Sequence, residues 1–146
     1  MPSFTNTVTI DRPARDVFAF LADLENVPRW NYAISETRKM TPGDIGVGTT
    51  YEQTRSIPAP SREQLTITEF EPDRHIAVVG TLARFPARLE YTMEEREGGT
   101  RLSNSVDLQL TGAVRLLGGI AVGRIRSAVA ENLDTLKQLL EASKSD

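Results

Sequence analysis

The sequence predicts an α+β fold in which six or seven antiparallel strands curl around one long C-terminal helix. Three observations carry this reading. Short apolar/polar alternations recur between residues 3 and 110, separated by turns rich in Pro and Gly. From about Val114 to Ala142 the apolar period changes to that of a helix. The 146 residues suit one domain, 1–146, with its own core and leave little room for a second. Strands that precede a helix, instead of alternating with helices, define α+β architecture.

Ser3 to Ile10 is the first strand. Phe4, Val8 and Ile10 share one face, Thr5, Thr7 and Thr9 the other, and Asn6 interrupts the apolar face. Asp11-Arg12-Pro13 starts a helix, because Pro suits a first turn and Asp16 complements the positive helix end. Its stripe is Val17, Leu21 and Leu24, flanked by Phe18 and Phe20. Leu24 to Trp30 reads as a second short helical turn that Pro28 makes irregular.

Strands follow at Ile34 to Met40, Thr49 to Ile57, Glu63 to Phe70, His75 to Leu82, Ala87 to Glu95 and Thr100 to Leu110. Pro42-Gly43, Pro58-Ala59-Pro60, Pro72-Asp73 and Gly98-Gly99 punctuate them, the last being a hairpin signal. The Gly-rich run from Gly43 to Gly48 has no Lys-Ser/Thr after it and opens no helix, so it reads as a turn and not a phosphate loop. In the C-terminal segment one helical stripe collects Val114, Leu117, Ala121, Ile125, Ala128, Val129, Leu136, Leu139 and Leu140. Arg124, Glu131, Asp134, Lys137, Gln138 and Glu141 are expected to face away. Gly118 and Asn132 interrupt the stripe, and Gly118, Ala121 and Ala128 leave space where Leu or Phe would fill it.

Composition narrows the chemistry. There is no Cys, which excludes disulfides, thiolate metal sites and a Cys nucleophile. A single His, His75, excludes a multi-His metal site within one chain, and no metal or cofactor is implied. A net charge of −3 argues against a nucleic-acid partner. The longest apolar stretch, Gly112 to Gly123, is broken by Arg115 and too short for integral membrane association. No signal segment opens the chain, so the expected location is cytoplasmic, as a monomer or homodimer.

Several motifs in order resemble a known superfamily. Val8-Thr9-Ile10-Asp11-Arg12-Pro13 through Val17-Phe18 resembles the opening strand and helix of START-like, or Bet v 1-like (SRPBCC), domains. Asp23 to Trp30, Gly46 to Tyr51, Ile67 to Arg74 and Gly98 to Leu102 resemble its later landmarks, and the branch they resemble is the polyketide cyclase/dehydrase and lipid-transport family. The resemblance implies a helix-grip fold: a seven-stranded curved antiparallel sheet wrapped around the C-terminal helix, with two short helices after the first strand. It also implies a deep apolar cavity for a lipid, polyketide or other hydrophobic small molecule. Tyr32 matches the Tyr that cyclase members carry after the second helix, whereas Gln64 to Ile67 lack the pocket Arg of those enzymes.

Candidate site residues follow. Tyr51, Gln53 and Arg55 share a strand face and offer a phenol, an amide and a cation to a carbonyl or carboxylate. Leu82 and Phe85 belong to an apolar connection that could gate a pocket, and Leu89, Tyr91, Leu117, Gly118, Ala121 and Ile125 complete the expected lining. Asn6, Asn104 and Asn132 break apolar stripes, either as a structural network or as ligand contacts, and Asn104 is counted with the lining. Glu36 and Arg38, on a face with Ile34 and Met40, read as a surface ion pair, with Glu36 as a possible catalytic carboxylate. His75 reads as a surface or half-buried residue. Three functions compete: a binding domain for a hydrophobic small molecule, a cyclase or dehydratase drawing on Tyr32, Arg55 and Glu36, and an interaction module with a filled cavity.

Overall fold

The computed structural model describes residues 3–82, 84–109 and 118–143. Strand β1 (Ser3–Ile10) is followed by helix α1 (Ala14–Ala22), a 3-10 turn (Leu24–Asn26) and helix α2 (Val27–Trp30). Strands β2 (Ile34–Lys39), β3 (Thr50–Arg55), β4 (Ser61–Glu71), β5 (His75–Leu82), β6 (Phe85–Arg96) and β7 (Gly99–Leu108) come next, and helix α3 (Gly118–Ser143) ends the described chain. The expected start of this helix at Val114 and the end of the last strand at Leu110 lie outside the described residues.

All seven strands form one antiparallel sheet in the order β1-β7-β6-β5-β4-β3-β2. Strands β2 to β7 are a meander of sequential neighbours, and β1 returns beside β7, so the two short helices bridge opposite edges. The β6–β7 turn is formed by Glu97 and Gly98, both with positive φ (51° and 84°), while Gly99 already pairs with Arg96. The hairpin thus sits one residue earlier than the Gly-Gly pair suggests, with Glu97 taking the left-handed conformation that two-residue hairpins need at both positions.

Pro28 falls in the first turn of α2, where its missing N–H leaves no helical bond unmade. The expected irregularity is the 3-10 turn before it, capped by Asp23, whose carboxylate accepts from Glu25 N at 3.2 Å. On β2 the register shifts between Ile34 and Glu36. This bulge moves Thr37 to the buried face with Ile34 and turns Glu36 and Arg38 to solvent, against the shared face expected from strict alternation.

The core lies between the sheet's concave face and the helices. Val17 and Leu21 of α1 meet Ile10, Ile67, Ile76 and Leu102 there, all at most 1% exposed. The C-terminal half of α3 drives Leu133, Leu136 and Leu140 into the same cluster. Leu133, absent from the predicted stripe, is 2% exposed. This half is also tied down by polar bonds. Arg12 donates to Leu140 O at 2.6 Å, Lys137 Nζ to Thr9 O at 2.7 Å, and Asp11 N to the Glu141 carboxylate at 2.8 Å. Lys137 and Glu141 therefore do not face away: they clamp the helix end onto the β1 corner. Lys137 Nζ also donates to the Glu141 carboxylate at 2.7 Å, and that bond, then the one from Asp11 N, holds the Glu141 carboxyl below its ordinary value.

The N-terminal half of α3 behaves differently. Val122, Ile125, Ala128 and Val129 are only half-buried and Ile120 is exposed. One end of this region is closed by a second cluster, Phe4, Ala87, Val106 and Leu108, with Leu82 and Phe85 packed on it. A helix sealed at one end and standing off the sheet at the other leaves an internal space between them.

Candidate functional site: an apolar cavity under the C-terminal helix

That space is a cavity of about 560 Å³, large enough for a drug-sized molecule. The sheet contributes Leu65, Val78, Leu89 and Tyr91, which alternation aims at the concave face. Helix α3 contributes Ile125, Ala128, Val129 and Asn132, and α2 with its preceding turn contributes Leu24, Val27 and Trp30. Tyr32, 57% exposed, and Ile120, 65% exposed, mark the side open to solvent, with Arg124 beside them. Among the described residues that line it there is no carboxylate, imidazole, Lys or hydroxyl of Ser or Thr.

Of the residues singled out in the sequence, Tyr32, Gln53, Arg55, Leu82, Phe85, Leu89, Tyr91, Asn104 and Ile125 line this cavity. Leu117 lies outside the described residues, as do the side-chain surroundings of Gly118 and Ala121. Leu82 and Phe85 are not a gating loop: they pair directly as the last rungs of the β5–β6 ladder. Tyr51 does not reach the cavity wall. It is fully buried in the core, and its hydroxyl meets no hydrogen-bond partner among the described residues. Burial, then the nearby Asp23 carboxylate, pushes the Tyr51 hydroxyl up to about 12. Burial alone raises that of Tyr91.

Arg55 is buried at the wall but is already engaged. Its Nε donates to Glu63 Oε2 at 2.8 Å and its Nη2 to Oε1 at 3.1 Å, a bidentate pair. Gln53 Nε2 donates to the same Oε1 at 2.7 Å, and Arg55 Nη1 reaches Ile57 O at 3.4 Å. The guanidinium is therefore not an unpaired anchor for a ligand carboxylate. Glu63, which nothing in the sequence reading singled out, shares a strand face with Leu65 and Ile67, so its parity alone marks it as inward-facing.

Glu36 stands outside the cavity, solvent-exposed and 3.2 Å from Arg38, which excludes it as a carboxylate of this site. Asn6 and Asn104 are direct partners across β1 and β7, yet each bonds backbone instead of the other: Asn6 Nδ2 donates to Arg126 O at 3.1 Å, Asn104 Nδ2 to Glu90 O at 3.2 Å. Arg124, expected on the outer helix face, lies at the mouth. Asn132 and Trp30, both 6% exposed, carry buried polar atoms (Oδ1 and Nε1) with no partner among the described residues.

Away from the cavity, Glu69, His75 and Glu90 bring three possible metal-ligating atoms within 4.8 Å of one another. These groups already bond one another and Arg88. His75 Nε2 is 3.1 Å from Glu69 Oε1, and Arg88 spans both carboxylates. The Arg88 bond is the largest cause holding the Glu69 carboxyl below its ordinary value. This cluster is an ion-pair network across β4, β5 and β6.

A seven-stranded antiparallel sheet gripping a long helix over an apolar cavity defines the Bet v 1-like, helix-grip class. The chain belongs to the family described as polyketide cyclase / dehydrase and lipid transport, whose pattern matches residues 1–141. No curated protein matches the sequence significantly. Solved structures match the fold. TTHA0849 from Thermus thermophilus superposes with a TM-score of 0.80 at 16% identity, over 97% of this chain and 99% of that one. Ara h 8.0201 gives 0.74 at 14% identity, over 97% and 98%. The di-domain ARO/CYC StfQ of the steffimycin biosynthetic pathway gives 0.75 at 17% identity, over 97% of this chain and 46% of that one. No described helix is long and apolar enough to cross a membrane.

Proposed function

We propose that the chain binds a hydrophobic small molecule, a lipid, a polyketide or a compound of similar character, in the cavity between sheet and α3. The observation that carries this is the cavity itself: about 560 Å³ walled by aliphatic and aromatic side chains, with few polar groups and an open side at Tyr32 and Ile120. An apolar ligand entering it leaves water for contacts with Leu65, Val78, Leu89 and Val129, and the drive scales with the area so removed. A filled core, which the interaction-module reading requires, is incompatible with a space of this size.

The enzyme reading draws on Tyr32 as acid, Arg55 as anchor and Glu36 as a further carboxylate. The geometry does not favour it: Tyr32 is largely exposed, Arg55 is paired with Glu63, and Glu36 is on the surface. Acid–base chemistry needs titratable groups poised within reach of a bound molecule. Native mass spectrometry of freshly purified chain tests the proposal. A co-purifying apolar molecule, or one taken up after delipidation at one per chain, supports it. Failure to take up any member of a panel of fatty, sterol-like and polycyclic compounds overturns it.

A further inference from the structure

The cavity continues past its open side. A shallow groove along α3 shares Tyr32, Ile120, Arg124 and Ala128 with it and adds Gly123, Ser127 and Glu131. Provided the cavity is a ligand site as proposed above, we infer that it takes an elongated amphiphile. The apolar body lies inside, and an anionic end group stays at the mouth, held by Arg124.

Ile120, Arg124, Ser127 and Glu131 recur every three or four residues, so α3 presents them along one stripe. Ile120 is 65% exposed and Arg124 is exposed beside it, so a molecule emerging from the cavity reaches both. Arg124 has no ion-pair or hydrogen-bond partner among the described residues, and no carboxylate stands among those that line the cavity. The other lining cation, Arg55, differs: its charge is matched inside the wall by the bidentate bond to Glu63. Glu131 is the one acid of the groove among its described residues, two helical turns or about 10 Å along the axis from Arg124. An anion is therefore favoured at the Arg124 end of the stripe and disfavoured further along it.

The energetics place the two ends of the ligand. The apolar body gains by leaving water for the cavity wall. An ionised end carried inward would lose its hydration, whereas at the mouth it keeps water on one side and accepts charge-assisted bonds from the guanidinium on the other. An uncharged end lacks that charge attraction, and a cationic end is repelled. The chain as a whole carries −3, so its long-range field favours a cation. A preference for the anion must then arise locally.

The test uses three probes of one chain length: dodecanoate, dodecyltrimethylammonium and dodecanol. Each displaces a fluorescent apolar dye from delipidated chain at neutral pH, with circular dichroism checking that every variant is folded. The wild-type chain is expected to bind dodecanoate about fivefold tighter than the ammonium probe. Arg124→Gln should abolish that ratio and Arg124→Glu should reverse it. The inference is overturned if the wild-type chain binds the ammonium probe as tightly as dodecanoate, a comparison that needs no variant. It is also overturned if the preference for dodecanoate survives in folded Arg124→Gln, which would place the anion elsewhere. Displacement by none of the three probes, dodecanol included, overturns the reading of the cavity as a ligand site and this inference with it. Displacement by all three without a charge preference overturns only the inference.

Discussion

Nε of Arg55 lies 2.8 Å from Oε2 of Glu63, and both side chains are at most 10% exposed. The pair joins β3 to β4 at the cavity wall, and Gln53 bonds the same carboxylate. Removing one member strands the other's charge in the interior. Arg55→Ala or Glu63→Ala should lower unfolding free energy by about 3 kcal/mol. The double change Arg55→Met with Glu63→Leu should lower it less than either single change. Urea denaturation of the four chains checks this, and a double change that costs more than either single change would contradict it.

Tyr51 gives the fold an alkaline limit. Its hydroxyl is pushed up to about 12, while in the unfolded chain it titrates near its ordinary value of 10.0. A raised folded value means that the contribution is fully present below pH 10 and is lost as pH rises toward 12. Tyr51→Phe removes both that titration and a buried hydroxyl without a partner among the described residues. Stability at pH 7 should rise by about 1 kcal/mol. The fall in melting temperature between pH 10 and pH 12 should be shallower than in the wild-type chain, with Tyr91 accounting for the remainder.

Gly80 is required by the close approach of β4. It pairs with Leu65, and a Cβ added there would stand 2.3 Å from Gln64 O and 2.7 Å from Leu65 Cδ2. Backbone cannot yield as a side-chain tip can. Gly80→Ala should cost about 3 kcal/mol or prevent folding, whereas Gly123→Ala, whose Cβ would meet nothing within 4 Å, should be tolerated. Thermal melts of the two variants separate these outcomes.

Much of the fold was legible because period-two alternation and turn residues locate every strand to within a few positions. The misplacements have local causes. The bulge at Ile34–Glu36 reverses the faces of β2, so Glu36 went to solvent and Thr37 inward. The β6–β7 turn uses a non-Gly residue, Glu97, at positive φ, which no propensity suggests. The site was legible only in part. Tyr51, Gln53 and Arg55 do share the buried face, but which of them reaches the cavity depends on curvature, and Tyr51 does not. The engagement of Arg55 depends on β3–β4 register, which sets Gln53 opposite Glu63 and is not written in either strand alone. Trp30 and Asn132 come together from segments about a hundred residues apart in chain order, and only tertiary packing places both on one wall.

The measurement that bears most directly on the central claim is titration of delipidated chain with a fluorescent apolar probe, alongside Leu89→Trp. Leu89 projects from the centre of the sheet into the cavity, and an indole there occupies space the ligand needs. The account predicts saturable binding of one probe per chain, weakened at least about tenfold in Leu89→Trp, with the same circular dichroism and no loss of melting temperature. Undiminished binding by the folded Leu89→Trp chain would contradict it.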